Sequence, residues 1–386
     1  MPTPPACIRR SLGCRIAAAV VAIGSVSAAC QAAETVVYRM GEHGYHTYRI
    51  PAIVKAANGD LLAFAEGRKN GAGDAGDIDL VLRRSSDGGV TWGEMAVLQD
   101  EWDDPTANVT YGNPAPVVDL LDPDHPGRVW LLLTRNNDGV LAIFSDDHGA
   151  TWSQRIDITA QVKRPNWNWY ATGPGHVLQL TRGPHAGRLV VASDHRTSDR
   201  PGWGAHAVIS DDHGATWRIG AVDTRDRGDA LHPNETLAEE LTDGRVYFNA
   251  RDQHGSDPAT RAVAFSSDGG ESFDEPFVPA PEFVTPVVQN SILRVAASDA
   301  GADEDLLVWC GPGDPQRRRD LTLMVSRDEA RTWRAAGVIH QGDAAYSDIV
   351  LIDDAHVGVL YEAGPRADSS ILFQSVPIDT LREQRD

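Results

Sequence analysis

Three arginine-bearing stretches stand out in a strongly acidic chain. Arg49 lies in Tyr48-Arg49-Ile50-Pro51, at the head of an apolar run that reads as an early strand. Arg251 ends Asn249-Ala250-Arg251, directly after the strand-like Arg245-Val246-Tyr247-Phe248. Arg317-Arg318-Arg319-Asp320 runs into a further strand-like stretch at Leu321-Thr322. Arginine suits the binding of a carboxylate, because its planar fork of N–H donors matches the group two bonds at a time. Taken singly, a strand arginine is ordinarily a surface ion pair and an arginine run a solvated turn. Brought together, the three stretches would form a local arginine cluster. The formal charge of −20 over 386 residues argues against nucleic acid and anionic membranes as partners. It leaves an anionic small substrate open, since a local arginine cluster dominates at short range.

Positions so far apart in sequence need a scaffold that gathers them. The octapeptide Ser145-Asp146-Asp147-His148-Gly149-Ala150-Thr151-Trp152 recurs letter for letter at 210–217. Looser copies stand at 85–92, 266–273 and 326–333, on the pattern Ser-x-Asp-x-Gly-x-Thr-Trp. Their aspartates, Asp87, Asp147, Asp212, Asp268 and Asp328, are 60, 65, 56 and 60 residues apart. Each copy follows a strand-like run, at 80–82, 140–144, 207–209, 262–265 and 323–325. The residues read as a tight turn: Asp accepts hydrogen bonds from the turn's own N–H groups, and Gly takes a positive φ without steric cost. Thr then opens a strand, and the Trp (Phe273 in one copy) packs inward as a large apolar plug. The copy at 326–333 carries Ala330 where Gly is expected, which predicts a distorted turn.

A near-constant step means a repeat architecture. Short apolar runs alternate with Gly, Asp, Asn and Pro clusters, and long amphipathic helical patterns are absent. A step near 60 residues holds four strands with their loops, and roughly 350 residues hold about six such units. The expected fold is all-β, a six-bladed β-propeller with five of these Asp-centred turns. The sixth blade would be made by the two ends, with Val36–Tyr38 and Ile50–Val54 beside strands after Ser347. In a propeller the loops of distant blades meet at the central channel, and there the arginines could converge.

Residues 1–33 read as a signal peptide. Arg9 and Arg10 precede an apolar, small-residue run from Ile16 to Ala29, followed by Cys30-Gln31-Ala32-Ala33. Removal between Ala29 and Glu34 would leave an exported domain, periplasmic or secreted, of residues 34–386 with no internal boundary. Ser27-Ala28-Ala29-Cys30 also resembles a lipoprotein site that would leave Cys30 lipidated, and Arg9-Arg10-Ser11-Leu12 a twin-arginine signal; both stay open. No other stretch is long and apolar enough to span a bilayer. Cys7, Cys14 and Cys30 lie in or beside this segment, so only Cys310 is certain to remain in the mature chain and no intramolecular disulfide is expected.

Tyr48-Arg49-Ile50-Pro51 followed by five Asp-box turns resembles the sialidase (neuraminidase) family, the exo-α-sialidases of bacterial and animal type, over essentially all of the chain after the signal. The resemblance implies three arginines clamping the substrate carboxylate: Arg49, Arg251, and a third within 317–319, where the family pattern falls on Arg318 with Arg319 as its rival. It implies Tyr346, in Tyr346-Ser347-Asp348, as nucleophile and Glu235, in Asn234-Glu235, as its partner. The acid/base aspartate falls in Gly73-Asp74-Ala75-Gly76-Asp77, where Asp74 fits best. Arg68, after Glu66-Gly67, matches a further arginine near that loop. Glu362, in Tyr361-Glu362-Ala363, matches the glutamate that braces the first arginine. Implied partners are sialylated glycans or free sialosides. No cofactor is implied, and no zinc-type ligand spacing appears.

The chemistry agrees with that assignment. A sialic acid carries a carboxylate on its anomeric carbon, which would repel a carboxylate nucleophile. A neutral tyrosine hydroxyl avoids the repulsion, and a neighbouring glutamate can accept its proton. Asp74 could protonate the leaving oxygen and later deprotonate water, giving hydrolysis with retention. Local alternatives stay open: a plain acidic loop or calcium site around Asp74, Asp77 and Asp79; a pocket border or a packing element at Trp167-Asn168-Trp169-Tyr170; a rim position for His195-Arg196. For the whole chain they are a non-catalytic glycan-binding Asp-box propeller, and an enzyme that acts on a related ulosonic acid such as Kdn or releases a transferred or anhydro product.

Overall fold

The computed structural model describes residues 1, 34–101, 104, 108–199, 202–253 and 260–383. The expected signal segment, Cys30 included, lies outside the described residues apart from Met1.

β1 (Thr35–Arg39) is followed by four sheets taken in chain order. The first holds β2 (Thr47–Lys55), β3 (Leu61–Arg68), β4 (Ile78–Ser85) and β5 (Ala96–Gln99). The second holds β6 (Tyr111–Asp119), β7 (Arg128–Arg135), β8 (Gly139–Ser145) and β9 (Ile156–Asp157). The third holds β10 (Trp167–Thr172), a short β11 (Leu178–Gln179), β12 (Leu189–Thr197), β13 (Trp203–Ser210) and β14 (Arg218–Thr224). The fourth holds β15 (Pro233–Glu240), β16 (Val246–Asp252), β17 (Arg261–Ser266) and β18 (Val278–Pro279). Next come β19 (Ser291–Ala296), β20 (Leu306–Pro312), β21 (Arg319–Ser326), β22 (Arg334–Asp353), β23 (His356–Ala363) and β24 (Ser370–Pro377). These six join β1 in one seven-stranded sheet, ordered β1-β24-β23-β22-β21-β20-β19. The 20-residue β22 pairs β21 as far as Asp343 and β23 from Ala344 onward.

Apolar side chains fill the space between successive sheets. Phe64 meets Leu131 and Leu133 of the second sheet, and Trp130 and Leu132 meet Val191 and Val208 of the third. Val190 and Ala207 meet Phe248 and Ala264 of the fourth; Tyr247 meets Ile292 and Trp309 beyond it. The series returns to its start, where Ile53, Ala63 and Val81 pack on Val350, Leu360 and Phe373. The arrangement is all-β and propeller-like. Strands covered on both faces need no polar alternation, so β3 reads Leu-Leu-Ala-Phe-Ala and is buried throughout. Each such Leu or Phe contributes about 1.5–3 kcal/mol on leaving water.

All five strand-like runs are strands that lead into an Asp box. In each box the aspartate accepts from a backbone N–H and a hydroxyl four residues on, as Asp147 does from Thr151 at 2.8 and 2.6 Å. The threonine therefore closes the turn rather than opening a strand; β9 begins only at Ile156. Trp92 and Trp152 stack edge-on against Phe373 and Phe64 of the neighbouring sheets. The box at 326–333 is not distorted. It keeps the same bonds, Thr332 N to Asp328 at 2.8 Å and Ala330 N to Ser326 Oγ at 3.0 Å, while Ala330 is held at φ 61°.

The chain ends meet only in part as expected. Val36–Tyr38 does pair with β24. Ile50–Val54 instead opens the first sheet, paired to β3. The loop between β1 and β2 turns the chain away at Gly41 and Gly44, both at positive φ. Among the described residues no helix is long and apolar enough to cross a membrane, and Cys310 is a buried free thiol.

Candidate active site

Antiparallel pairing puts one end of every sheet in charge of the site. In the first sheet Thr47 faces Arg68 and Arg68 faces Ile78, so the start of β2, the end of β3 and the loop after it share an edge. Leu61 faces Ser85 at the opposite edge, and the Asp box follows there. Arg49, Arg68 and Asp74 lie at the first edge, as do Glu235 at the start of β15, Arg251 near the end of β16 and Arg318 just before β21. No Asp-box residue lines the cavity that they surround.

The strands that enter this edge are bent there. Register shifts fall between Arg49 and Ala52, Gly112 and Ala115, Pro233 and Thr236, and Ala344 and Ser347. Such a bulge re-aims the side chains it carries, and these four carry Arg49, Asn113, Glu235 and Tyr346. Ile50 sits at φ 59° and Asn113 at φ 56°, the former strained for a β-branched residue. A buried glutamate from the preceding sheet satisfies each. Glu362 accepts from Ile50 N at 2.8 Å, and Glu66 accepts from Asn113 N at 3.0 Å. The same two carboxylates hold arginines, Glu362 taking Arg49 Nε at 2.7 Å and Glu66 taking Arg68 at 3.0 and 2.6 Å.

At the centre, the Tyr346 hydroxyl donates to Glu235 Oε1 at 2.5 Å. Arg251 donates from one nitrogen to Glu235 Oε2 at 2.7 Å and to the Tyr346 oxygen at 3.0 Å. Arg49 and Arg318 flank the Tyr346 ring, 5.1 and 5.6 Å from its centroid. Burial and the Glu235 charge raise the Tyr346 phenol, against Arg251, Arg318 and Arg49, which pull it down. The arginines are not fully used by the protein. Arg251 Nε is buried without a partner. Arg318 donates to Val287 O at 3.2 Å, with no carboxylate at ion-pair distance among the described residues. Arg319, its rival, is turned to Asp320 at 3.1 Å.

Asp74 lies across the cavity with its side chain 76% exposed, bonded to Arg68 at 2.8 Å and 4.0 Å from Arg49. Its partial burial works to raise the carboxyl, but Arg68, Arg49 and Arg318 outweigh it and hold it below the usual carboxylate range. The neighbouring acidic residues are a separate cluster. Lys69 Nζ bridges Asp77, Asp79 and Asp100 at 2.9, 3.0 and 3.4 Å, so the chain supplies the cation that a calcium site would require.

The third sheet splits the open alternatives. A register shift between Trp167 and Trp169 sends the two indoles apart. Trp167 is buried against Tyr170, whereas Trp169 lines the cavity and meets Trp203 edge-on at 5.9 Å. His195 is not on the rim. It is stacked on Trp167 at 3.9 Å and bonded to Thr224 at 2.7 Å, and burial pushes its imidazole down to about 3. Arg196 beside it is exposed. Sequence reading missed Asn113, Asn137, Asp194, Trp203 and Gln253. Asn113 had a signal: Tyr111-Gly112-Asn113-Pro114-Ala115 repeats the frame of Tyr48-Arg49-Ile50-Pro51-Ala52.

Known proteins match at the level of both repeat and fold. A family model described as a BNR repeat-like domain matches residues 59–359, which sets the chain among proteins built on Asp-box repeats. The chain belongs to the sialidase family. It is 32% identical to a sialidase of Micromonospora viridifaciens over 352 residues, 84% of this chain and 51% of that protein. With a sialidase of Bacteroides fragilis it shares 27% over 370 residues, 88% of this chain and 64% of that one. The chain thus spans about half the length of the first and just under two thirds of the second. Among solved structures it is similar to the Hadza microbial sialidase Hz136, with a TM-score of 0.79 at 28% identity over 90% of this chain and 68% of that one. A leech intramolecular trans-sialidase shares the fold, with a TM-score of 0.75 at 18% identity over 92% and 71% of the two chains.

Proposed function

We propose that the chain is an exo-α-sialidase, hydrolysing terminal α-linked sialic acids from glycoconjugates with retention through a covalent tyrosyl intermediate. The observation that carries this reading is the Tyr346–Glu235 bond of 2.5 Å beneath Arg49, Arg251 and Arg318. The three arginines take the substrate carboxylate, using the spare donors of Arg251 and Arg318. That seats the anomeric carbon over the Tyr346 oxygen. Glu235 accepts the phenolic proton as the oxygen attacks, and Arg251, already bonded to both groups, stabilises the charge that develops. Asp74 protonates the departing glycosidic oxygen, then takes a proton from the water that releases the sugar. Glu362 and Arg68 keep Arg49 and Asp74 in place. Sialidases among the relatives support the substrate class. A Trypanosoma rangeli sialidase of the same fold, solved as a covalent intermediate with 2,3-difluorosialic acid, supports the mechanism.

The same reading makes the fold a six-bladed propeller. What supports it is β22, whose change of partner at Asp343–Ala344 divides the seven-stranded sheet into two four-stranded halves that share one chain. An experimental structure with any other number of blades would contradict it.

The functional test is turnover of a fluorogenic α-sialoside with the product followed by NMR. Free sialic acid, released first as the α-anomer, is expected. A 2,7-anhydro or transferred product, or preference for Kdn, would replace hydrolysis by its alternatives. No turnover of any ulosonic acid would leave a binding propeller.

A further inference from the structure

Arg261 carries a charge that the mechanism does not use. It opens β17 directly opposite Arg251 on β16, and its side chain is fully buried. Its hydrogen bonds all go to neutral oxygens. Nε and Nη2 donate to the Asn249 side-chain oxygen at 2.8 and 2.5 Å, Nη2 also to Asn249 O at 3.0 Å, and Nη1 to Val288 O at 3.0 Å. Among the described residues no carboxylate lies at ion-pair distance from it. Burial pushes its guanidinium down to about 9, which leaves it charged at neutral pH. A buried charge without an opposite charge is costly, and here it stands beside a second cation.

The acceptor at its far end shows what the charge is spent on. Val288 belongs to Val287–Gln289, a stretch between β18 and β19 that lies in neither strand. Val287 O accepts from Arg318 at 3.2 Å. Val288 is fully buried and packs with Ala345 and Tyr346. Gln289 accepts from Ser347 N with Oε1 and donates to Ser347 O from Nε2, both at 3.1 Å. Ala345, Tyr346 and Ser347 are the bulged part of β22 that presents the nucleophile. A stretch outside the sheets thus backs the nucleophile, and the fork of Arg261 ties it to Asn249, on the strand that carries Arg251.

We propose that Arg261 is a positioning residue, which holds Val287–Gln289 as the seat for the Tyr346 bulge without touching the substrate. This rests on the function proposed above. Arg49 and Arg251 have their own holds, on Glu362 and Glu235, so loosening the seat acts on the attack by Tyr346 and not on capture of the carboxylate. A shift of about 1 Å in a reacting group costs up to about a hundredfold in rate.

The test is Arg261→Lys, which keeps the charge and loses the planar fork that spans two acceptors. On a fluorogenic α-sialoside kcat should fall about tenfold or more. Labelling by a 2,3-difluorinated sialosyl fluoride, which reports the attack alone, should slow by a similar factor. Binding of 2-deoxy-2,3-dehydro sialic acid, which offers the carboxylate and no leaving group, should stay within about threefold of wild type. Gln289→Met releases Ser347 at the other end of the same link and should show the same split. The double variant should be little worse than either single one, as for residues that act as a unit. Should Arg261→Lys fail to fold, Asn249→Ala frees one side of the fork and takes its place. Full kcat in the Lys variant, an inhibitor affinity that falls as far as kcat, or losses that multiply in the double variant would overturn the role. If wild type neither turned over the sialoside nor took the label, the functional reading would fall first and this role with it.

Discussion

Glu362 holds Arg49 through Nε at 2.7 Å and, with the same oxygen, the Ile50 amide at 2.8 Å. One buried carboxylate thus fixes an arginine of the clamp and the strained backbone that presents it. Glu362→Gln keeps the shape and loses the charge. Charge-assisted bonds of this kind are worth about 1.5–3 kcal/mol, so KM for a sialoside should rise about tenfold or more, with a smaller change in kcat. Glu362→Ala should also lower the stability by about 3–5 kcal/mol, as loss of one partner of a buried ion pair does. Unaltered kinetics in the Gln variant would separate Glu362 from the clamp.

Asp74 gives a pH prediction with a defined sign. Arg68, at 2.8 Å, is the nearest of the charges that hold its carboxyl down. Arg68→Gln removes that charge, so the Asp74 pKa rises. A general acid is competent while protonated, so the limb of kcat/KM that falls with rising pH should move to higher pH. The profile is measured between about pH 4 and 8 with a poor leaving group, after a melt has shown the variant folded. A limb that stays in place or moves to lower pH would remove Asp74 from the acid role.

The Asp boxes predict opposite outcomes for two small changes. Ala330 is held at φ 61° without the freedom of glycine. Ala330→Gly should leave stability unchanged or raise it by up to about 1 kcal/mol, the relieved strain being partly offset by a more flexible unfolded chain. Gly214 is at φ 86°, and a Cβ there would lie 2.3 Å from the Trp130 ring. Gly214→Ala should therefore lower the stability by more than about 1–2 kcal/mol. Thermal or urea unfolding of the pair would show it, and equal effects would contradict the packing.

How far the sequence could be read follows from which contacts are periodic. The turns were legible because Asp147 and Thr151 bond within one octapeptide, and the strands because runs such as Leu61–Ala65 are apolar throughout. Arg49, Arg251 and Tyr346 were legible through motifs, and the structure sets both arginines against the tyrosine. What the sequence hid depends on register. Trp167 and Trp169 look alike by spacing, yet a bulge between them buries one and leaves the other on the cavity wall. His195 looked like a rim residue because it is polar, and its partners Thr224 and His206 come from other strands. The fate of Ile50–Val54 turned on which of two sheets a strand near the chain start would join. Asp194 carries no motif, and only the register of β12 against its neighbours brings it to the cavity wall.

The central claim is that Tyr346, activated by Glu235, forms the bond to the sugar. A 2,3-difluorinated sialosyl fluoride slows breakdown of such an intermediate and leaves the attacking residue labelled. Mass spectrometry of the digested protein should find the sugar on the peptide that contains Tyr346-Ser347-Asp348, fragmenting at Tyr346. Glu235→Gln should label far more slowly and Tyr346→Phe not at all. A label on Asp74, Glu235 or any other carboxylate, or near-normal turnover by Tyr346→Phe, would contradict the account.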